Sequence, residues 1–136
     1  MAARKVRYVV LEVPSRAGQA AAILAALAEE GVNLQAFTGF PSGGGKAQVD
    51  LVTEDLAGVR RVARRQGWRL RTPKRAFLVQ GSDRVGAVHR DLERLARAGV
   101  NVTAADAVSA GWGRYGMILW VKPKDYARAA RALGAR

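Results

Sequence analysis

A short segment of this 136-residue chain occurs twice, 68 positions apart. Ser15-Arg16-Ala17-Gly18 precedes an apolar stretch that ends at Gly31-Val32-Asn33-Leu34, and Asp83-Arg84-Val85-Gly86 precedes another that ends at Gly99-Val100-Asn101-Val102. Across residues 16–36, 9 of 21 positions are identical to their counterparts at this offset. Self-similarity at a fixed offset indicates an internal repeat. The chain is therefore predicted to contain two like units, and the junction between like units is a common location for small-ligand sites.

Hydrophobic spacing and turn residues predict a similar order of elements in both halves. Short runs rich in β-branched residues indicate strands, apolar residues at helical spacing indicate helices, and glycine or proline marks the turns. The first half is predicted to form β-α-β-β-α-β, with strands at 7–13, 32–40, 47–53 and 68–71 and helices at 17–30 and 55–66. The second half is predicted to have strands at 76–81, 100–110 and 115–122 and helices at 84–98 and 125–133.

These elements divide the chain into a first unit at residues 1–72 and a second at residues 73–136. Units of about 65 residues bury too little surface to be stable alone, so we expect them to share a core or a sheet. The second unit lacks a counterpart of the strand at 68–71, which leaves a sheet edge that needs cover. Pairing with another chain or with the basic N-terminal segment would cover this edge. Ser15 and Asp83 are predicted N-caps of the helices that follow them.

Composition excludes several classes of site. There are no cysteines and only one histidine, so disulfides, thiolate metal sites and multi-histidine metal sites are absent. No apolar run approaches the length of about 18 residues that a membrane span needs. The basic segment Met1–Arg7 leads into a strand and does not resemble a signal peptide. We therefore expect a cytoplasmic protein with no membrane association, no cofactor and no metal.

Three motifs suggest chemistry but lack the context that the chemistry requires. The glycine pattern at residues 111–116 lies between two predicted strands, whereas a dinucleotide site needs it between a strand and a helix. Gly43-Gly44-Gly45-Lys46 is followed by Ala47 and a strand, which does not fit a phosphate loop. His89-Arg90-Asp91 lies within a predicted helix and lacks the rest of a kinase catalytic loop. No acid, base and nucleophile are brought together, so the chain is predicted not to be an enzyme.

The chain carries 23 Lys and Arg against 11 Asp and Glu, for a net charge of +12. Such an excess favours association with polyanions, and the run from residue 60 to residue 75 contains no acid. A nucleic-acid-binding surface here is the alternative function, and a solvated helix face in an arginine-rich chain is the other interpretation. The candidate polyanion-binding residues are Arg60, Arg61, Arg64, Arg65, Arg69 and Arg71.

The repeated pattern resembles the ACT domain family. Asp83-Arg84-Val85-Gly86 matches the family's loop in full, and Ser15-Arg16-Ala17-Gly18 departs at its first position. Gly31-Val32-Asn33-Leu34 and Gly99-Val100-Asn101-Val102 match the segment between the first helix and the second strand. The resemblance covers residues 6–134.

This resemblance implies an α+β class, with a ferredoxin-like βαββαβ sandwich in each of two tandem repeats and helices on one face of an antiparallel sheet. It also implies regulatory binding of amino acids or similar metabolites at the interface between paired units. The loop and helix start would line that interface, and the asparagines after the helices would face the ligand. The implied ligand-binding residues are Arg16, Ala17, Gly18, Gln19 and Asn33 in the first repeat and Arg84, Val85, Gly86, Ala87 and Asn101 in the second.

The chemistry of these residue types agrees with that role. A glycine in the first helical turn lets a ligand approach, and the unpaired amides there favour a carboxylate. An asparagine offers both a donor and an acceptor, which suits the two ends of an amino acid. Tight packing of Gly18 and Gly86, and local turn bonding of Asn33 and Asn101, are the alternatives.

The sequence therefore predicts a non-catalytic regulatory or sensing protein. Without an attached catalytic domain, its output would pass through a regulated protein partner, a change of oligomer or ligand buffering. A homodimer is expected, which would bring together four repeats.

Overall fold

The repeated order of elements is present in the computed structural model, which describes residues 1–136. The elements in chain order are β1 (Ala2–Pro14), α1 (Gln19–Glu29), β2 (Ala36–Gly43), β3 (Lys46–Val52), α2 (Leu56–Gln66), β4 (Lys74–Ser82), α3 (Ala87–Arg97), β5 (Val102–Gly111), β6 (Arg114–Val121) and α4 (Tyr126–Leu133). A single turn of 3₁₀ helix, Pro123–Asp125, precedes α4. The chain thus has two repeats of ferredoxin-like topology, which confirms the predicted α+β fold class.

Two compact units divide the chain. The first unit comprises residues 7–74, and the second comprises residues 1–6 together with residues 75–136. The sequence-based boundary at residues 72 and 73 differs from this division chiefly in residues 1–6. These residues precede the first repeat in the chain but contribute to the second unit.

The first unit packs two helices on one face of the antiparallel sheet β2-β3-β1. Val9 lies opposite Leu51, and Leu11 lies opposite Val49, in the register of β1 and β3. Because alternate strand residues share a face, these four apolar side chains form one buried surface. It packs with Ile23 and Leu27 of α1 and with Leu56, Val59 and Val62 of α2.

The second unit repeats this arrangement with β4-β6-β5, α3 and α4. Phe77 lies opposite Leu119, and Val79 lies opposite Met117, each 68 positions after its counterpart in the first unit. The buried surface packs with Leu95 of α3 and with residues of α4, and the Phe77 and Tyr126 rings stack with centroids 4.4 Å apart. The repeat therefore keeps the positions of the core pairs between strands.

Residues 1–6 border β4 in the second unit. Ala3 is 6% exposed and belongs to the core of this unit. Its carbonyl accepts a hydrogen bond from the amide of Arg136 at 3.3 Å, and the amide of Lys5 donates to the carbonyl of Arg136 at 2.9 Å. In the first unit, the predicted strand at 68–71 is reduced to a bridge between Leu70 and Leu11.

The helix starts differ from the sequence-based prediction. Gly18 and Gly86, rather than Ser15 and Asp83, are the N-cap residues of α1 and α3, and neither helix has a side-chain cap. The amide of Ser15 donates to the carbonyl of Gly45 at 2.8 Å, whereas a carboxylate oxygen of Asp83 accepts from the Ser109 hydroxyl at 2.7 Å. Both side chains lie too early in the loop to cap, so the predicted caps were wrong.

The second strand of each repeat begins later than predicted. The amide of Val32 donates to the carbonyl of Leu27, and that of Val100 donates to the carbonyl of Leu95. Residues just after each helix therefore satisfy carbonyls of its last turn. As a result, β2 begins at Ala36 instead of residue 32, and β5 begins at Val102 instead of residue 100.

A polar pair is buried in the second unit. The Tyr115 hydroxyl of β6 donates to a carboxylate oxygen of Asp91 on α3, and Asp91 is only 2% exposed. Burial first, and then the hydrogen bond and negative charge of Asp91, raise the pKa of Tyr115 to about 12. The equivalent positions in the first repeat hold Ile23 and Ala47, so this pair is peculiar to the second.

Ala3→Asp is expected to destabilise the second unit by about 2 kcal/mol or more, because it places a carboxylate in an apolar core. Hydrogen exchange resolved along the chain should show faster opening of residues 75–136. The control is Ala2→Asp on the same strand, where the side chain is exposed. Equal effects of the two substitutions would contradict the assignment of residues 1–6 to this unit.

The Tyr115 pair is expected to make stability fall at alkaline pH. The pKa of Tyr115 is about 12 in the folded chain against an ordinary value of 10.0, so the unfolded state loses its proton first. The contribution is complete below about pH 10 and is lost as the pH rises towards 12. The urea midpoint of unfolding should therefore decline less steeply over this pH range in Tyr115→Phe, which lacks this contribution, than in the parent chain. Other groups titrate in both chains, so some decline is expected in each. Equal declines of the urea midpoint in the two chains would contradict a stabilising role of the Tyr115–Asp91 hydrogen bond.

Candidate functional site

The loops before α1 and α3 have the same backbone geometry. The carbonyls of Arg16 and Gly18 accept from the amides three and four residues onward, at 3.3 and 3.0 Å. The carbonyls of Arg84 and Gly86 do the same, both at 3.0 Å. Gly18 has φ +88° and Gly86 has φ +78°, a left-handed conformation that side chains other than glycine rarely adopt. The repeated glycine is therefore required by the backbone of each loop.

Each loop leaves exposed backbone amides at the start of a helix. Ala17 and Gly18 are exposed and their amides donate no hydrogen bond within the chain, and the same holds for Val85 and Gly86. Such amides, with the positive end of the helix dipole, favour a carboxylate or phosphate oxygen. The backbone of both loops can thus contribute donors to an anionic group.

A groove of about 330 Å³ lies beside the first loop. Two of the predicted site residues, Arg16 and Gln19, line it, whereas Ala17, Gly18 and Asn33 do not. The other lining residues come from the end of β1, the start of α1 and the two strands that follow: Val13, Pro14, Ser15, Ala20, Phe37, Gly39, Phe40, Pro41, Ala47 and Val49. The groove is therefore mostly apolar, with its polar side chains grouped at the loop.

One exposed aromatic side chain lies on the groove face of β2. Phe37 is 37% exposed and shares its sheet face with Gly39 and Pro41, whereas Phe40 pairs with Gln48, so its ring lies on the opposite face. The sequence alone does not show which face of β2 stays open, so Phe37 was not among the predicted site residues. An apolar surface beside a guanidinium and an amide suits a small molecule with one apolar end and one carboxylate end.

A second cavity, of about 470 Å³, lies beside the second loop. Of the predicted site residues, Arg84 and Ala87 line it, and Val85, Gly86 and Asn101 do not. The remaining lining residues come mainly from α3 and are largely charged: Met1, Ser82, Arg90, Asp91, Glu93, Arg94, Arg97 and Tyr115. The two repeats thus present cavities of different chemistry next to equivalent loops.

Sequence reasoning missed the arginines of α3 as site residues. Arg90, Arg94 and Arg97 follow one another at spacings of four and three, which places them on one helix face. That spacing was the available signal, but it also fits a solvated face. Arg97 pairs with Glu93 at 3.2 Å, and the structure shows no ion pair for Arg84, Arg90 or Arg94.

The two predicted asparagines lie away from the loops of their own repeats. Asn33 follows the C-terminus of α1, about 16 Å from its start by the usual helical rise. Its backbone carbonyl accepts from the Thr53 hydroxyl at 2.7 Å, and its side chain is exposed. Asn101 is likewise exposed and follows α3. Neither asparagine contributes to the cavity of its repeat.

The basic strip is partly neutralised within the first unit. Glu30 accepts from Arg61 at 3.1 Å and from Arg65 at 2.8 Å, and these hydrogen bonds lower the pKa of Glu30. Arg71 lies 3.6 Å from Glu12. Three arginines of the strip, Arg60, Arg64 and Arg69, have no acidic partner.

No three histidine, aspartate or glutamate side chains gather closely enough to hold a metal ion. None of the helices has the length and apolar character needed to cross a bilayer.

Comparison with known proteins identifies the family of the first repeat. Residues 7–66 match the family model of the ACT domain. No curated protein sequence matches the chain. Among solved structures, protein BT0572 from Bacteroides thetaiotaomicron superposes with a TM-score of 0.81 at 13% identity, over 97% of this chain and 88% of that one.

Two regulatory subunits of aspartate kinase show the same fold. That from Thermus thermophilus, in its ligand-free form, has a TM-score of 0.62 at 17% identity, over 96% of this chain and 91% of that one. That from Thermus flavus has a TM-score of 0.56 at 15% identity, over 98% and 95%. The loop motifs, the fold of both units and the family match agree, and residues 7–66 are therefore an ACT domain.

Proposed function

We propose that this chain is a non-catalytic regulatory module that binds an amino acid or a similar small metabolite. The observation that carries the proposal is the groove beside the first loop, where Arg16 and Gln19 share the lining with the exposed ring of Phe37. The similarity to the regulatory subunits of aspartate kinase supports a regulatory role.

The groove suits one ligand class in particular. The Arg16 guanidinium would pair with a carboxylate, and the nearby exposed amides of Ala17 and Gly18 add donors for it. The Gln19 side chain offers an acceptor for an ammonium group. The Phe37 ring and Pro41 would cover an apolar side chain. An amino acid with an aliphatic or aromatic side chain fits this arrangement best, and a groove of about 330 Å³ is large enough to hold it.

A homodimer and a regulated protein partner belong to the same proposal. The chain would then act in the cytoplasm by changing a partner's activity or its own assembly. The strand β5 supports the homodimer, because its only neighbour is β6 and its other edge has free backbone groups that a second copy could pair with. Light scattering of the purified chain is expected to give twice the mass of 14.6 kDa, and a monomer at all concentrations would contradict this part.

Nucleic-acid binding is not favoured over this proposal. Half of the candidate residues, Arg61, Arg65 and Arg71, lie close to carboxylates of the same unit. A glutamate held between two guanidiniums weakens the field that a phosphate backbone would meet. The alternative stays a prediction that rests on the remaining arginines and the net charge.

A thermal-shift and calorimetric screen of the common amino acids tests the proposed function. A ligand at 100 times its dissociation constant should stabilise the chain by about 2.7 kcal/mol. Arg16→Gln is expected to weaken binding by about tenfold or more, because it removes a charge-assisted hydrogen bond to the carboxylate. Phe37→Ala should weaken the binding of apolar amino acids more than that of glycine.

The matched control is Arg84→Gln, which removes the equivalent charge from the second repeat. It should leave amino acid affinity unchanged if the first groove is the site. Equal losses in Arg16→Gln and Arg84→Gln would contradict that placement. No stabilisation by any amino acid would remove this ligand class.

A further inference from the structure

The two repeats line the cavities beside their loops with different residues. Four equivalent positions line both: Pro14 and Ser82, Arg16 and Arg84, Gln19 and Ala87, Ala47 and Tyr115. Beyond these positions the first groove extends over β2, and the second cavity extends along α3. Only the loop arginine is kept in both repeats, so the surroundings of that arginine set the difference in chemistry.

The helix of the second repeat carries charge where the first carries alanine. Ala22 and Ala26 of α1 correspond to Arg90 and Arg94 of α3, and both arginines line the cavity. Together with Arg84 they place three guanidinium groups around one cavity, none of them in an ion pair. A folded chain gains nothing from holding three unpaired like charges together, so the arrangement points to a ligand that neutralises them.

The carboxylates of the cavity do not offset these charges fully. Glu93 is paired with Arg97 at 3.2 Å. Asp91 is buried and accepts the Tyr115 hydroxyl, so its carboxylate belongs to the floor of the cavity. Arg90 and Arg94 act on Tyr115 electrostatically, each tending to lower the pKa of its phenol. Arg90, Arg94 and Tyr115 all line this cavity.

We propose that the second unit binds a compact multivalent anion, such as a phosphate-bearing or polycarboxylate metabolite, among Arg84, Arg90 and Arg94. Guanidinium groups bind phosphate and carboxylate oxygens in bidentate geometry, and three of them match a ligand with two or more negative charges. The exposed amides of Val85 and Gly86 add donors beside Arg84. This inference goes beyond the proposed function, since it concerns another unit and another ligand class.

The shape of the cavity favours a small anion over a nucleic acid. Its volume of about 470 Å³ suits a metabolite, and its arginines line it together with the hydrogen-bonded pair of Asp91 and Tyr115. A polynucleotide instead needs positive charge spread along a path, with aromatic side chains available for stacking. An amino acid fits poorly as well, because both carboxylates that could receive its ammonium group are already engaged.

The test is calorimetry of the full chain with pyrophosphate, citrate and inorganic phosphate, with ionic strength held constant by potassium chloride. Pyrophosphate and citrate are expected to bind more tightly than inorganic phosphate, because they present more charge to the three guanidiniums. Arg90→Gln combined with Arg94→Gln should weaken pyrophosphate binding by about tenfold or more.

The matched control is Arg60→Gln combined with Arg64→Gln on α2. These arginines have the same spacing, are exposed and have no ion pair, so the double substitution changes the net charge equally. Pyrophosphate affinity should stay within about twofold of the parent chain. Equal losses in the two double variants would show general charge attraction and overturn the proposal. No binding of any of the three anions above the chloride background would also overturn it.

A third measurement distinguishes a small phosphate-bearing ligand from nucleic acid. Here the binding of a single-stranded RNA oligomer is measured. If pyrophosphate does not displace the RNA, and Arg90→Gln with Arg94→Gln does not weaken RNA binding, the basic residues serve nucleic acid and the proposal is overturned. If the α3 double variant fails to fold, an NMR titration of the parent chain, which follows the arginine side-chain Nε–H resonances, takes the place of that variant. Pyrophosphate should then shift those of Arg84, Arg90 and Arg94, and shifts confined to α2 would overturn the site.

The anion test and the amino acid screen can fail independently. Arg90→Gln with Arg94→Gln should leave amino acid binding intact, and Arg16→Gln should leave pyrophosphate binding intact. Loss of both ligands in both variants would mean one shared site and would overturn the assignment of separate ligands to the two repeats.

Discussion

Burial of one face of each antiparallel sheet against two helices is the constraint on which the rest of the structure depends. The pairs Val9–Leu51 and Phe77–Leu119 occupy equivalent positions and are almost completely inaccessible to solvent. They pack β1 and β4 against the helices that follow them in the chain. The short loops between turn sharply, and Gly18 and Gly86 adopt left-handed conformations there. These loops leave exposed amides at the helix starts.

The duplicated core has left the cavity linings free to change. The buried Ile23 of the first repeat corresponds to the buried Asp91 of the second, and Ala47 corresponds to Tyr115. Changing only one of these positions would bury a carboxylate without its hydrogen bond, or a large ring against an aliphatic neighbour. The pair keeps the fold while turning an apolar floor into a polar one. This coupled change accounts for different cavities beside equivalent loops.

Most of the fold could be predicted from the sequence, because the repeat and the alternation of apolar residues are local signals. The strand faces of Val9, Leu11, Phe77 and Val79 follow from period-two spacing alone. The sequence left two candidates for the open sheet edge of the second unit, another chain and the N-terminal segment, and the structure places residues 1–6 beside β4 in that unit. The sequence could not choose between them, because a strand's partner depends on contacts far along the chain. The predicted helix caps were wrong for a related reason: Ser15 and Asp83 have suitable side chains, but the loop geometry places glycine at the cap. The loop arginines could be proposed from the family motif, whereas Phe37, Arg90 and Arg94 were identified only from their place beside a cavity.

The kept and changed positions together suggest how ligand classes divide between the repeats. In the proposed arrangement, Arg16, Arg84 and the exposed amides beside them would offer donors to an anionic oxygen in both repeats. The residues next to that oxygen would then decide the ligand. Beside the first loop these are the Phe37 ring and Pro41, which favour an apolar substituent, and beside the second they are further guanidiniums, which favour more negative charge. A module of this kind could receive two chemically distinct signals through one duplicated backbone, with selectivity set by a few side chains on β2 and α3.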